Sequence, residues 1–130
     1  MQKTRTLVVA CLATAVLAVG ASVAQAQAPA TTADTLKGKA LVDAKGLTLY
    51  IFDRDTTGTS NCNGQCAVNW PPLEAGADAK PSGPWTVITR SDGGKQWAYN
   101  GKPVYTFAKD SKSGDVTGDG VNNVWHIATP

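Results

Sequence analysis

The sequence predicts an all-β fold, a small sandwich or barrel of about six short strands built from two duplicated halves. Two observations support this prediction. Six residues of the first half recur 55 positions later in the second half. In addition, β-prone runs alternate with glycine-containing turns, and only one short segment, near a pair of cysteines, favours a helical turn.

The repetition has a constant register. The first-half residues and their counterparts are Gly46, Leu49, Tyr50, Phe52, Asp55 and Trp70, followed by Gly101, Val104, Tyr105, Phe107, Asp110 and Trp125. Five of the six pairs are identical, and the sixth exchanges Leu for Val. Because the register holds over 25 positions without a gap, we interpret it as a duplication with pseudo-twofold symmetry. Repeat one covers about 38–73 and repeat two about 93–128.

Turn residues locate the hairpins. Asn100-Gly101 lies between two β-prone runs and predicts a type I′ turn, since both central positions of that turn need a positive φ. Lys45-Gly46 occupies the equivalent place in the first half. Lysine is less suited than asparagine to this conformation, so we expect the first turn to be looser or one residue longer. The predicted strands are 40–43, 47–52, 85–90, 95–99, 102–107 and 124–128.

Aromatic residues alternate along one strand of each half. Tyr50 and Phe52 share one face of their strand, as do Tyr105 and Phe107, and we expect these faces to be buried. Pro103 lacks a backbone N–H, which favours an edge position for its strand. The four tryptophans should supply much of the modest core that a domain of this size can form.

The start of the chain, 1–26, has the pattern of a secretory signal peptide. Lys3 and Arg5 form a basic head, positions 7–19 are an apolar run, and Ala24-Gln25-Ala26 is a small-x-small cleavage site. The apolar run is too short to span a bilayer, which takes about 20 residues. We therefore expect an exported protein, periplasmic or secreted, without a transmembrane segment after processing.

The remaining chain is predicted to be a flexible leader, 27–37, and a single duplicated β domain, 38–130. Cys11 follows small residues, as an acylated cysteine does, but it lies inside the apolar run, so we do not expect a lipid anchor. Removing two of the 12 basic residues with the signal leaves ten, which equals the ten acidic residues. Such a neutral domain, without a basic stripe, argues against nucleic acid or an anionic membrane surface as partner.

Two cysteines survive processing. In an oxidising compartment, a close pair such as Cys62 and Cys66 favours a disulfide that fixes a local turn. The alternatives are a redox pair or a metal site. Three intervening residues, where redox dithiols have two, and the lack of a third thiol weaken both. The adjacent segment 64–69 is the predicted helical turn, which Pro71 ends.

These residues resemble a family of bacterial secreted repeat proteins and predicted lipoproteins of unknown function. Its hallmark, Tyr-x-aromatic-x-x-Asp, appears as Tyr50-Ile51-Phe52-Asp53-Arg54-Asp55 and again as Tyr105-Thr106-Phe107-Ala108-Lys109-Asp110. The resemblance spans about 38–128 and implies export without indicating an activity. Many members look like lipoproteins, whereas this sequence lacks a convincing acylation site.

The repeated motif has two interpretations. Its aromatic rings and carboxylates could surround a ligand, or the rings could be core while Asp55 and Asp110 bond the backbone where strand becomes loop. A small domain rarely needs the same catalytic centre twice, whereas duplication copies a packing solution. We therefore favour the structural interpretation.

One loop suggests a metal site. Asp115, Thr117 and Asp119, followed by Gly120, match the start of a calcium-binding loop. The pattern then fails, because His126 stands where a bidentate carboxylate belongs. We expect no cofactor, and calcium, through this loop, is the one possibility that the sequence leaves open.

The leading functional hypothesis is an exported, non-catalytic module, binding or structural, whose partner is an unknown envelope protein or a small ligand. A calcium-type protein using the Asp115–Asp119 loop is the alternative, and an unrecognised enzyme comes third. The only histidine, His126, lies between Trp125 and Ile127 on a predicted strand, so its side chain should face away from theirs.

Overall fold

A computed structural model describes residues 28–130. The predicted signal peptide, 1–26, and Cys11 lie outside the described residues. Seven strands and two short helical segments follow one another along the chain: β1 (Thr31–Thr35), β2 (Gly38–Val42), β3 (Tyr50–Phe52), α1 (Gln65–Asn69), β4 (Trp85–Thr89), β5 (Lys95–Tyr99), β6 (Lys102–Pro103), a 3₁₀ turn (Val121–Asn123) and β7 (Trp125–Ile127). The all-β prediction and the helical turn near the cysteines are confirmed, whereas the 3₁₀ turn before β7 was not predicted.

The strands form three small antiparallel sheets, with the orders β1-β2, β3-β7 and β4-β5-β6. They do not close into a barrel, so that alternative is wrong. A closed barrel leaves no strand edge unpaired, whereas β1 and β4 each end a sheet.

The predicted leader contains a strand. Residues 31–35, placed by the sequence in a flexible segment, pair with β2 over their whole length, from Thr31 opposite Val42 to Thr35 opposite Gly38. Ala30 is also buried. The Thr- and Ala-rich segment carries little local signal, and its conformation comes from the backbone hydrogen bonds of β2.

Both turn predictions are confirmed. Asn100 and Gly101 have φ values of 50° and 81°, as a type I′ turn needs. In the first half the Asp43 N–H donates to Leu47 O at 2.9 Å, and Gly46, with φ 83°, donates to Asp43 O at 3.0 Å. Three residues therefore separate the paired positions 43 and 47 in the first turn, whereas two residues separate 99 and 102 in the second.

The terminal segments of the two repeats, defined as 69–73 and 124–128, are exchanged. The segment 124–128 of repeat two contains β7, which pairs with β3 of repeat one. The segment 69–73 of repeat one accepts bonds from repeat two, Thr106 N–H to Pro71 O at 2.8 Å and Ala108 N–H to Asn69 O at 2.9 Å. Each repeat is thus completed by the last segment of the other.

This exchange also shortens a predicted strand. Residues 102–107 were expected to be one strand, but β6 ends at Pro103, on the edge of its sheet as predicted. Beyond it Tyr105 forms bridges with Tyr50 and Pro72. Tyr50 and Tyr105 exchange backbone bonds of 2.8 and 3.0 Å, which places the pseudo-twofold axis between them.

Four aromatic rings stack across this axis in the order Phe52, Trp125, Trp70, Phe107. The ring centroids of the two tryptophans are 3.8 Å apart, and the outer rings lie 4.3 and 4.0 Å from them. Each stacked pair of a phenylalanine and a tryptophan joins the two repeats. All four tryptophans of the chain are buried, as the sequence predicted for most of them.

Candidate functional site

The repeated motif pairs across the two repeats. The Tyr50 hydroxyl of repeat one donates to Asp110 Oδ2 of repeat two at 2.5 Å. Reciprocally, the Tyr105 hydroxyl donates to Asp55 Oδ2 at 2.6 Å. Tyr50 and Tyr105 are fully buried and Asp110 nearly so. The motif that looked like a candidate active site therefore ties the two repeats together.

The second oxygen of each aspartate binds backbone, as the structural interpretation expected. Asp55 Oδ1 accepts the Asn61 N–H at 2.6 Å, and Asp110 Oδ1 accepts the Thr117 N–H at 3.1 Å. The Thr117 hydroxyl also donates to Asp110. Each carboxylate thus fixes the loop that follows its own strand while holding the tyrosine of the other repeat.

The electrostatics keep both phenols protonated. Burial, and then the hydrogen bond to Asp110, raise the pKa of Tyr50 far above its ordinary value of 10.0. Burial and the bond to Asp55 raise the pKa of Tyr105 in the same way. Burial also raises the pKa of Asp55, against the bonds it accepts. A general acid or base works best with a pKa near the operating pH, and these phenols are shifted away from it.

A buried arginine holds the disulfide loop, defined as 60–66. The Arg90 guanidinium donates through Nη1 to Ser60 Oγ and Gln96 Oε1, at 2.9 and 2.8 Å, and through Nη2 to Cys62 O at 2.7 Å. Ser60 Oγ lies 2.6 Å from the Tyr105 hydroxyl. The network therefore joins the motif tyrosine of repeat two to the disulfide loop of repeat one.

Arg90 was not predicted from the sequence, although a signal existed. Ile88 and Arg90 are two residues apart on β4 and its continuation, so they share the inward face. Repeat one has Thr35 at the equivalent position, which makes this arginine specific to one side of the domain. Its Nε also lies 3.3 Å from a carboxylate oxygen of Asp92, whose side chain is largely exposed.

The disulfide between Cys62 and Cys66 is formed, as predicted, with an S–S distance of 2.08 Å. Cys62 is fully buried, and Cys66 lies in the first turn of α1. The bridge lies next to the atoms that accept from Arg90, which gives this tiny loop a structural role.

The candidate calcium ligands point to separate partners. Asp115 Oδ2 accepts the Ser111 N–H at 2.9 Å, and the Thr117 hydroxyl donates to Asp110. Asp119 Oδ1 accepts a backbone N–H of β7 at 3.1 Å. Within residues 28–130, no group of three or more His, Cys, Asp or Glu side chains is placed to hold a metal ion. The calcium site stays a prediction, and calorimetry with Ca²⁺ against EDTA-treated protein would detect it as binding heat.

Packing explains one glycine of this loop. A Cβ added to Gly118 would lie 2.7 Å from the Trp70 ring and 2.9 Å from the Tyr50 ring. The loop thus needs glycine there because its backbone covers the aromatic core.

His126 faces outward, as its position on the strand predicted, and forms a hydrogen bond with Asp53 that the sequence did not suggest. Its Nε2 lies 2.7 Å from Asp53 Oδ2, and both side chains are about half exposed. Repeat two has Ala108 and repeat one has Pro71 at the equivalent positions, so the pair occurs once. Among the described residues, no hydroxyl or thiol is hydrogen-bonded to His126, as a nucleophile–base pair would require.

A shallow groove of about 190 Å³ lies next to Asp53. Its walls combine apolar, carboxylate, hydroxyl and amine side chains, namely Ile51, Phe52, Asp53, Asp55, Thr56, Thr57, Lys102 and Pro103. The groove is small against typical ligand pockets of about 300–1,000 Å³.

Fold and site together define an all-β domain of two interlocked repeats, joined by reciprocal tyrosine–aspartate bonds and carrying one disulfide. A family model described as a secreted repeat of unknown function matches residues 31–74 and 86–129. The chain belongs to this family of secreted repeats, which confirms the resemblance, and it is an exported protein. The matched ranges start at 31 and 86, the same offset as the repeated motif, and so include β1 and most of β4. No curated protein and no solved structure matches the chain.

The described part of the chain, 28–130, contains no helix with the length and apolarity needed to cross a membrane.

Proposed function

We propose that this exported protein is a non-catalytic module with a binding or structural role in the cell envelope. The observation that supports this proposal is the use of both motif copies as hydrogen bonds between the repeats. Tyr50, Tyr105 and Asp110 are buried in this role. Asp55 also lines the groove, but its two oxygens already accept bonds from Tyr105 and from the Asn61 N–H. The four tryptophans are buried as well, so they offer no stacking surface to a sugar or an apolar ligand.

The features without a counterpart in the other repeat are the first places to test for binding. One is the half-exposed pair of His126 and Asp53 beside the groove. The other is α1, in which Val68, two residues after Cys66, is 63% exposed. Duplication supplies the framework twice, whereas a specific partner needs a surface that occurs once.

The test must separate binding from catalysis. The purified mature chain is incubated with an envelope extract, and the extract is compared by mass spectrometry with one incubated with the H126A/D53A variant. We expect no chemical change that depends on the wild-type protein. A product formed by the wild type and not by the variant would make the protein an enzyme and end the proposal.

Binding is then measured by a thermal-shift screen of envelope components and metal ions against the wild type. A ligand that raises the melting temperature of the wild type should lose this effect in H126A/D53A or in V68D. Lys109→Ala, an exposed change outside both of these sites, is the matched control and should keep the effect. If no envelope component shifts any of these proteins, the binding role is refuted and scaffolding remains.

We also propose that the mature protein is free in the periplasm or medium. Its cysteine at position 11 lies inside the apolar run, where acylation would leave half of that run attached. Metabolic labelling with palmitate should leave the protein unlabelled, and a C11S variant should be exported as efficiently as the wild type. Incorporated label that C11S loses would show a lipid anchor.

A further inference from the structure

We propose that the chain can associate with a second copy of itself by exchanging repeats, so that repeat one of one chain is completed by repeat two of another. The partner is defined by its chemistry: it must present the same terminal segment, with backbone groups and aromatic side chains in the same register. This inference does not depend on the binding role proposed above.

The contact between the repeats has the same geometry in both directions. The Ala128 N–H donates to Leu49 O at 2.8 Å, and the equivalent Leu73 N–H donates to Val104 O at 3.0 Å. Further along, the Leu41 N–H donates to Ala128 O at 2.8 Å.

Its counterpart is the Trp97 N–H, which donates to Leu73 O at 2.9 Å. Each of these hydrogen bonds between repeat one and the terminal segment of repeat two thus has an equivalent between repeat two and the terminal segment of repeat one. A surface with such twofold self-complementarity is what an isologous dimer uses.

The side chains obey the same rule. Tyr50 meets an aspartate of the other repeat, and so does Tyr105. Phe52 and Phe107 each stack on a tryptophan of the other repeat. None of these contacts can form within one repeat in this fold, so a repeat without its complement exposes its strand edge and its aromatic rings.

The linker 75–84 is the one connection that holds the two complementary repeats in the same chain. The Ala75 N–H is bonded to Lys95 O at one end of β5, and Trp85 is paired with Tyr99 at the other end, on the opposite side of that strand. Four residues along a strand and two strand spacings separate the linker ends by about 16 Å. The ten steps from 75 to 85 reach about 35 Å when extended, which is ample.

Before the repeats join, a linker of this length acts as a tether and gives an effective concentration of the order of 1 mM. At micromolar protein, completion within one chain therefore dominates, and the wild type should be a monomer. Shortening the linker below the required span removes this advantage and leaves the second copy as the complement, as in domain swapping.

The experiment deletes residues 76–81 in the full mature chain. Four steps then remain between 75 and 85, which reach at most about 14 Å and fall short of the required distance. Light scattering after gel filtration should show a dimer for more than nine-tenths of this variant, with the spectrum of buried tryptophan unchanged. The control replaces 76–81 by six Gly and Ser residues and should remain monomeric.

A folded monomer of the deletion variant, or a chain that unfolds or aggregates without a discrete dimer, would overturn the proposal. A second measurement does not depend on that variant. A protease site replaces 77–80 in a full chain that is cut only after folding. The two pieces should stay together as a 1:1 complex and separate in urea; pieces that separate in native buffer would also overturn it.

Discussion

Replacing Tyr50 by Phe tests whether the motif joins the repeats. The change removes one oxygen atom and leaves the ring, which packs edge-on against Trp70 and Phe107. It also removes the donor to Asp110, a carboxylate that is only 6% exposed and cannot recover the bond from water. A buried hydrogen bond to a charged group is worth about 1.5–3 kcal/mol, so we expect Y50F to lower the free energy of unfolding by about 2 kcal/mol. For a domain of this size that loss lowers the melting temperature by roughly 8–16 °C.

The assay is urea denaturation followed by tryptophan fluorescence, since all four tryptophans are buried and report unfolding. The matched control is Tyr99→Phe, because in the described chain the Tyr99 hydroxyl forms no hydrogen bond while its ring contacts Trp85. A double-mutant cycle of Y50F with D110N should give a coupling energy of about 1–2 kcal/mol. A loss in Y50F below about 0.5 kcal/mol, or equal to that in Y99F, would refute the cross-repeat role of the motif.

Three further predictions concern the same framework. Arg90→Met should lower the free energy of unfolding by about 3 kcal/mol in urea denaturation, because it leaves several buried acceptors without a donor. Arg90→Lys should not restore this stability, since lysine lacks the planar fork of the guanidinium. A lysine variant as stable as the wild type would contradict the prediction. Because the folded-state pKa of both motif tyrosines lies above 10.0, the stability they contribute is complete below pH 10 and is lost as the pH rises further and the unfolded phenols ionise. The melting temperature should therefore fall above pH 10, and a Y50F/Y105F chain that falls as steeply would exclude this cause. Thiol titration of the unreduced mature protein should find no free thiol, and two free thiols would disprove the bridge. Reducing the Cys62–Cys66 bridge should lower the free energy of unfolding by about 2 kcal/mol, as expected for so small a loop.

Much of the local structure could be predicted because its causes are local. Asn100-Gly101 specifies a type I′ turn by its backbone conformation alone, and the poorer Lys45-Gly46 accounts for the longer first turn. The alternation of Tyr50 and Phe52 identifies the buried face, because side chains in a strand alternate between its sides. These signals extend over only a few neighbouring positions, where sequence and geometry are tightly linked.

The candidate site could be predicted only in part. The motif residues were identified, and so was the backbone role of both aspartates, but not the pairing of each tyrosine with the aspartate of the other repeat. A duplicated sequence offers Tyr50 two aspartates in identical contexts, Asp55 and Asp110, and no local feature distinguishes them. Arg90 was missed because a charged residue in a strand is ordinarily assigned to the surface.

The sequence by itself determined the duplication, the hairpin turns, the aromatic core and the close cysteine pair of an exported domain. The tertiary structure alone decided that the terminal segments are exchanged, that residues 31–35 form a strand, and that an arginine is buried against the disulfide loop. The physical reason is the range of the interactions. Turn preferences and side-chain alternation act between neighbours, whereas the choice between two equivalent partners in different repeats depends on how the linker and the packed rings arrange the whole chain.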